Sequence, residues 1–306
     1  MNNKPKILTA ILAAALILAG CGQSSDSSSK AEAVSSETAA VSETDSSAAA
    51  DPKDISEADE SSVAEKQEPE KEAKEETAKD TSGYKGIDVA SPDWISKLDA
   101  AKNADQLFVV AAFNENATDA WVSLHEKQSD GSWHMIMTTP GFIGKNGLGK
   151  TKEGDSKTPV GTYNFNRAFG IADDPGSVIP YVKVDNDSYW SGDPREGFHY
   201  NELVDLKDLP DLDTGECEHL IEYIYHYQYC LNISYNEEGT PGLGSAIFLH
   251  CFGPAKPFSG GCVAIPEDHM KFVMQKVDEK TAVVIDSYEN LAGTDEWPDS
   301  TWPQVR

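Results

Sequence analysis

The sequence predicts a mainly β domain behind a long N-terminal segment that forms no core. Short apolar runs separated by glycine- and proline-containing turns recur between residues 107 and 286, a spacing typical of all-β folds. Few stretches show helical periodicity. All six tryptophans and every other aromatic residue follow residue 83, so the apolar material for a core lies in the second part of the chain.

Residues 1–20 are predicted to be a signal peptide and not part of the fold. Lys4 and Lys6 precede an apolar run over residues 7–18, which is too short for an ordinary membrane span. Leu-Ala-Gly-Cys at residues 18–21 matches the lipobox of bacterial lipoproteins. We therefore expect cleavage before Cys21, lipidation of the Cys21 sulfur, and an extracytoplasmic protein lipid-anchored to the cell membrane. An ordinary secretory signal with a chance cysteine is the alternative.

Residues 21–84 are predicted to be a disordered acidic linker. They consist mostly of Ser, Ala, Glu, Asp, Lys and Thr. Such a segment cannot bury enough apolar surface to offset the entropy lost on ordering. Its expected role is to tether the domain that follows.

Residues 85–306 are long enough for one catalytic domain, with its core at about residues 107–286. The formal net charge of the chain is −27. An acidic protein is a poor candidate for binding nucleic acid, because the phosphate backbone repels it. We therefore expect no nucleic-acid partner.

The elements of the domain are predicted in order from local patterns. Ser91 and Pro92 begin a helix with Trp94 and Leu98 on one face. Asp130-Gly131 indicates a hairpin between two strands. The β-like runs of this half are residues 107–113, 121–126, 133–138, 162–165 and 181–184, with a polar glycine-rich loop at 141–154.

The second half is predicted to continue the sheet. The tyrosine-rich stretch 220–235 favours a strand. Residues 246–249 form a buried strand that ends at His250, and residues 262–265 form a short strand. A helix begins after Pro266, with apolar residues at i, i+3, i+4 and i+7. Residues 281–286 form the last strand, and nothing in the tail from residue 289 suggests chemistry.

His250 and Cys262 are the candidate catalytic pair. His250 ends an apolar run, and Cys262 follows two glycines after a short loop. A thiol needs a base to become nucleophilic at neutral pH. Backbone N–H groups at Gly261 and Cys262 are candidates for an oxyanion hole, since glycine permits a close approach of the substrate. A buried free thiol beside a core histidine is the alternative interpretation of the same residues.

The other cysteines leave two alternatives open. A Cys217–Cys230 disulfide is compatible with an extracytoplasmic protein. Cys217, His219, His226 and Cys230 also permit a zinc site, although their spacing fits no common zinc pattern. We predict neither a metal nor a cofactor. His199, His219, His226 and His269 are interpreted as structural or surface residues.

The domain resembles the L,D-transpeptidase (YkuD-like) catalytic-domain family over residues 107–286. Three blocks carry the resemblance: Lys-Thr-Pro-Val-Gly-Thr at 157–162, Tyr200-Asn201 after Trp190, and the segment from His250 to Cys262-Val-Ala. The commoner family signature has a second histidine and an arginine where this sequence has Gly260 and Ala264. These departures concern specificity more than chemistry, because the thiol and its base are both present.

The resemblance implies a β-sandwich with short helices and a cysteine acyltransferase acting on peptidoglycan. His250 takes the proton of Cys262, and the thiolate attacks the carbonyl before the terminal D-alanine of a tetrapeptide stem. A side-chain amine of a second stem then resolves the thioester and forms a 3-3 cross-link. Ser259, Gly260, Tyr200 and Asn201 are expected to help bind substrate.

Two alternatives remain on the sequence alone. An L,D-carboxypeptidase would use water as the acceptor on the same stems. A non-catalytic cell-wall-binding lipoprotein would keep the fold without the chemistry. The expected partners are peptidoglycan stem peptides and, through the N-terminal lipid, the membrane.

Overall fold

The structure is a computed structural model that describes residues 83–254 and 257–296. The predicted signal peptide, Cys21, almost all of the predicted linker, and Trp297 and Trp302 of the tail lie outside these residues. No helix of the described part is both long and apolar enough to span a bilayer.

The described residues form thirteen strands and two short α-helices, which confirms the mainly β prediction. The strands are β1 (Val89–Ala90), β2 (Gln106–Ala112), β3 (Asp119–Lys127), β4 (Trp133–Phe142), β5 (Gly161–Gly170), β6 (Tyr181–Lys183), β7 (Ser188–Trp190), β8 (Leu203–Asp205), β9 (Glu218–His219), β10 (Cys230–Ile233), β11 (Phe248–Cys251), β12 (Val263–Ile265) and β13 (Ala282–Ser287). The helices are α1 (Glu267–Met274) and α2 (Tyr288–Ala292).

Ten strands make one mixed sheet that closes on itself. Its order is β1-β4-β12-β11-β10-β5-β13-β2-β3, β6 pairs with β5, and β3 also pairs with β4. The β3–β4 pair is the hairpin predicted at Asp130-Gly131. Strands β7, β8 and β9 form a separate small antiparallel sheet.

Strand β2 shows how alternation divides the core. Phe108, Val110 and Ala112 belong to an apolar cluster inside the closed sheet. Leu107, Val109 and Ala111 point to the opposite face and belong to a second cluster with Trp94. Both faces of the strand are buried because successive side chains point to opposite sides.

A third apolar cluster lies beneath the candidate site. Phe169, Trp190, Tyr227 and Phe248 belong to it together with Cys262. The Trp190 and Phe248 rings meet edge to face, with their centroids 4.7 Å apart. The cluster therefore joins the large sheet to the small one directly under the candidate nucleophile.

The prediction of one long strand over residues 220–235 is wrong in its first two thirds. Leu220–Glu222 is a 3-10 turn, further turns follow, and only Cys230–Ile233 is a strand. The amides of His226 and Tyr227 both donate to the Tyr223 carbonyl, and the Tyr223 and Tyr227 rings stack 4.5 Å apart. The aromatic side chains pack at an i, i+4 spacing, which a turn satisfies and an extended chain does not.

The helix predicted after Pro92 is two 3-10 turns, Ile95–Lys97 and Asp99–Lys102. Leu98 interrupts them with an extended conformation (φ −60°, ψ 141°). This conformation lets Leu98 pack against the cluster that contains Trp94. The apolar side chains of the predicted helix therefore pack together as expected, but the backbone that carries them forms two 3-10 turns.

Buried His125 on β3 predicts a loss of stability on acidification. Its side chain is fully buried between the Ser91 and Ser123 hydroxyls, each 2.8 Å from one ring nitrogen. Burial lowers the pKa of His125 from 6.5 to about 3. The unfolded chain therefore binds a proton first, and the free energy of unfolding decreases as the pH falls from about 6.5 to about 3. This residue alone should cost about 2.5 kcal/mol at pH 4.5.

Urea denaturation of the wild type and of His125→Gln at pH 7.5 and 4.5 measures this effect. The variant should lose less stability than the wild type over the interval, because it has no imidazole to protonate. Equal losses in the two proteins would contradict the assignment.

Candidate functional site

Strands β11 and β12 bring the two candidate catalytic side chains to one face of the sheet. They run parallel, with Leu249 opposite Val263 and His250 opposite Ala264. Cys262 directly precedes β12 and shares the side of Ala264, while His250 lies on the same side of the neighbouring strand. Cys251 points the other way, into the cluster inside the sheet. His250 and Cys262 both line one cleft.

The Cys262 sulfur is held by the backbone of the strand that precedes His250. Its S–H donates to the Ala246 carbonyl at 3.1 Å, and the Phe248 amide donates to the sulfur at 3.3 Å. Burial raises the pKa of Cys262 to about 12, and the Glu218 carboxylate adds to the rise. In the resting protein the sulfur is therefore a neutral thiol.

His250 is oriented as a base. Its Nδ1 lies 2.8 Å from the Cys251 carbonyl oxygen. A carbonyl only accepts, so Nδ1 carries the proton and Nε2 has the free lone pair. Burial, with a smaller contribution from neighbouring His226, lowers the pKa of His250 to about 4, although the hydrogen bond to the Cys251 carbonyl opposes the shift. The resting pair is a neutral thiol and a neutral imidazole, so the proton has to move from sulfur to nitrogen as the sulfur attacks.

The loop before Cys262 is tightly hydrogen-bonded. The Ser259 hydroxyl donates to the Cys262 carbonyl at 2.6 Å and accepts the Gly261 amide at 3.0 Å. The buried Thr158 hydroxyl donates to the Gly261 carbonyl at 2.7 Å. Thr158 belongs to the Lys-Thr-Pro-Val-Gly-Thr block, so this part of the block serves to hold the nucleophile loop.

These bonds involve one of the two amides predicted to form the oxyanion hole. The Gly261 amide donates to the Ser259 hydroxyl, so in this structure it is not free to bind an oxyanion. The Cys262 amide remains the backbone donor beside the sulfur. The sequence pattern could not reveal this, because it does not say which way an amide beside a glycine points.

The two glycines before Cys262 should respond differently to substitution. Gly261 has φ +145°, and an added Cβ would lie 2.8 Å from the Lys157 carbonyl oxygen, whereas nothing lies within 4 Å of a Cβ at Gly260. Gly261→Ala should therefore strain the loop and shift Cys262 from its position. We expect the rate of thioester formation to fall at least about tenfold. Gly260→Ala is the matched control and should retain that rate within about threefold. Single-turnover rates and thermal unfolding of both variants test this, and equal behaviour would contradict it.

The cleft has a volume of about 670 Å³. Ser259 and Gly260, two of the residues predicted to bind substrate, line it. The charged, aromatic and other polar residues that line it include Lys145, Lys150, Glu153, Trp190, Glu216, Cys217, Glu218, Tyr223, His226, Tyr227 and Ser245.

Tyr200 and Asn201 are not among the residues that line the cleft, so the structure does not support their predicted contact with substrate. The Asn201 amide oxygen accepts from the Trp190 indole and from the Ala246 amide, each at 3.0 Å. Its nitrogen donates to the Tyr235 and Asn236 carbonyls. All its bonding capacity is therefore used within the protein, and one of these bonds fixes Ala246, whose carbonyl accepts the hydrogen bond of the Cys262 thiol. The Tyr200 hydroxyl donates to Glu153 at 2.5 Å and acts on the cleft only through that carboxylate.

The sequence did not predict three residues of the cleft, two of them on the segment that was interpreted as one strand. The His226 ring centroid lies 5.5 Å from that of His250, and buried Tyr227 packs 5.6 Å from the same ring. Glu218 lies on β9 nearby and also lines the cleft. The i, i+4 spacing of Tyr223 and Tyr227 was the available signal of a turn.

The two alternative roles for Cys217 and Cys230 are not realised. Both thiols are free. Within residues 83–254 and 257–296, no group of three or more His, Cys, Asp or Glu side chains is arranged to hold a metal ion.

Comparison with known proteins shows that the chain matches one family. Residues 120–285 match the family model of YkuD, described as the L,D-transpeptidase catalytic domain. None of the curated protein sequences matches the chain.

The solved structures that the chain matches include the helical cell shape determining protein Pgp2 from Campylobacter jejuni, with 20% identity over 63% of this chain and 54% of that one and a TM-score of 0.33. An Enterococcus faecium L,D-transpeptidase is 15% identical over 60% and 50%, with a TM-score of 0.27. Mycobacterium tuberculosis L,D-transpeptidase 1 is 14% identical over 60% and 62%, with a TM-score of 0.26. The chain thus spans between half and two thirds of each of these chains, and at these scores the likeness carries no argument about activity.

Proposed function

Because the chain belongs to the L,D-transpeptidase (YkuD) catalytic-domain family, we propose that it is a peptidoglycan L,D-transpeptidase that forms 3-3 cross-links between stem peptides. The observation that carries the proposal is the pairing of Cys262 and His250 on adjacent parallel strands of one cleft. The Nδ1 proton of His250, fixed on the Cys251 carbonyl, supports the assignment of His250 as the base.

The proposed first half-reaction forms a thioester. His250 Nε2 takes the proton of Cys262, and the sulfur attacks the carbonyl carbon before the terminal D-alanine. The Cys262 amide donates to the developing oxyanion. Protonated His250 gives its proton to the departing nitrogen, the C–N bond breaks, and D-alanine leaves.

In the proposed second half-reaction, an amine of another stem attacks the thioester carbonyl. The C–S bond breaks, the new amide is the cross-link, and Cys262 recovers its proton. Water in place of the amine would give the carboxypeptidase product, a tripeptide.

We also propose that the protein acts outside the cytoplasm, held to the membrane by a lipid on Cys21. The basic residues, apolar run and lipobox-like Leu-Ala-Gly-Cys of the first 21 residues support this. Globomycin-type inhibition of signal processing and metabolic labelling with a fatty-acid analogue would test it. Labelling should disappear in Cys21→Ala.

Defined tetrapeptide stems test the proposed activity directly. Incubation of the protein with such stems, followed by mass spectrometry, should reveal released D-alanine and a cross-linked dimer. Tripeptide without dimer would identify the carboxypeptidase instead. Unchanged stems would overturn the proposal and favour a wall-binding role.

The pH dependence of thioester formation follows from the burial of the pair. His250 must be neutral to act as base, and its pKa is lowered to about 4. The single-turnover rate of D-alanine release should therefore stay within about threefold from pH 5.5 to 8 and fall only as the pH approaches 4. An acidic limb centred near 6.5, the ordinary histidine value, would contradict this.

A further inference from the structure

Glu218 points into the candidate active-site cleft because of its position on a short strand. β9 pairs with β7, with Glu218 opposite Trp190 and His219 opposite Tyr189. His219 stacks on Tyr189 at 4.4 Å and bonds to the Asn186 carbonyl. Alternation along the strand turns Glu218 to the other side, where it lines the same cleft as Cys262.

The carboxylate of Glu218 has a fixed orientation and no compensating charge in the described part of the chain. The Tyr227 hydroxyl donates to its Oε2 at 2.6 Å. The charged neighbour that acts on it there is Glu153, another carboxylate, and burial raises the pKa of Glu218 to about 7. Glu218 is half-buried, and carboxylates withdrawn from water are normally paired with a cation.

The cations of the cleft are engaged elsewhere or lie away from Glu218. Lys150 is buried and forms an ion pair with Asp155 at 3.1 Å. Lys145 lies over the Phe258 ring at 5.9 Å from its centroid. The wall that carries Glu218 is therefore suited to a positively charged group brought in by a substrate.

We propose that Glu218 is a catalytic residue of the second half-reaction, which binds the protonated amine of the acyl acceptor and removes its proton. This inference rests on the proposed function, since it assumes a thioester on Cys262. It identifies the acceptor as a cationic amine of a stem peptide.

The proposed step balances as follows. The acceptor arrives as R–NH₃⁺ and transfers one proton to the Glu218 carboxylate, which leaves a neutral R–NH₂. Its nitrogen attacks the thioester carbonyl carbon, a C–N bond forms and the C–S bond breaks. The second proton passes from nitrogen through His250 to the Cys262 sulfur, and Glu218 later releases its proton to water. With a pKa near neutral, Glu218 both accepts and releases a proton without a large penalty.

The test compares two acceptors in the wild type and in Glu218→Gln. One acceptor is an amine-bearing stem peptide, which is cationic at neutral pH, and the other is hydroxylamine, which is uncharged there. Glu218→Gln keeps an acceptor for the Tyr227 hydroxyl but has no charge. It should lower cross-link formation about 10²-fold, the range for loss of a proton-transfer group, while trapping by hydroxylamine stays within about threefold. D-alanine release in a single turnover should not be slowed, because the Glu218 charge raises the pKa of the Cys262 thiol and its loss eases removal of that proton.

Glu216→Gln is the matched control. Glu216 is an exposed carboxylate that lines the same cleft, and its loss should change none of the three rates more than about threefold. If Glu218→Gln does not fold, Glu218→Asp retracts the charge by one methylene and should lower cross-linking selectively by about tenfold.

The outcomes separate this inference from the proposed function. Absence of D-alanine release from the wild type would overturn the proposed function. D-alanine release with unaltered cross-linking in the Glu218 variants would overturn only the role of Glu218. Equal losses with both acceptors would make Glu218 a structural residue. A wild type that forms tripeptide without cross-links would overturn the proposed transpeptidase in favour of a carboxypeptidase, and with it the role of Glu218.

Discussion

Cys262→Ala should abolish thioester formation. The sulfur is the nucleophile of the proposed reaction, and no other thiol occupies its position between the Ala246 carbonyl and the Phe248 amide. We expect D-alanine release from tetrapeptide stems to fall by at least about 10⁴-fold, as is typical when the nucleophile is removed from a set of catalytic residues that act together. Intact-protein mass spectrometry after mixing with stem should detect an acyl adduct on the wild type and none on the variant.

Two other cysteines provide the controls for that experiment. Cys251 lies on the opposite face of β11, inside the closed sheet, and Cys217 lines the cleft with its sulfur bonded to the Asp213 carbonyl. Each alanine variant should retain most of the activity, although Cys251→Ala should lose some stability through a small cavity. Activity of Cys262→Ala together with a dead Cys251→Ala would refute the assignment.

His250→Gln should lower the rate of thioester formation by about 10²–10⁴-fold, the range for loss of a general base. Glutamine retains a group that can bond to the Cys251 carbonyl, so the strand should be little disturbed. It supplies no basic lone pair, and the thiol pKa of about 12 leaves almost no thiolate at neutral pH. Single-turnover D-alanine release between pH 6 and 9 measures the loss, which should shrink as rising pH ionises the thiol.

His219→Gln is the control for a histidine close in sequence to the cleft. His219 stacks on Tyr189 and points away from Cys262, so its loss should leave the acylation rate within about threefold. A loss below tenfold in His250→Gln would mean that another group activates Cys262. His226, whose ring lies 5.5 Å from that of His250, would then be the next residue to replace.

Much of the fold could be predicted because local patterns and packing agree. Strands β2, β3, β4 and β13 are apolar runs bounded by turn residues, and β3 and β4 meet at the hairpin that Asp130-Gly131 indicates. The stretch over residues 220–229 could not be predicted from residue preference. Tyrosine favours strands in general, but here the Tyr223 and Tyr227 rings stack across one turn, and this tertiary packing outweighs the preference.

The sequence by itself determined the candidate nucleophile and base. His250 and Cys262 are twelve residues apart and lie at the ends of two short apolar strands, so their proximity follows from local pairing. Only the tertiary structure decided what surrounds them. Asn201 was expected to bind substrate, but hydrogen bonds within the protein saturate its amide. Glu218 was not singled out by the sequence, but strand pairing turns it into the cleft. A residue's type states which bonds it can make, but only the folded chain determines which of those bonds remain for a substrate.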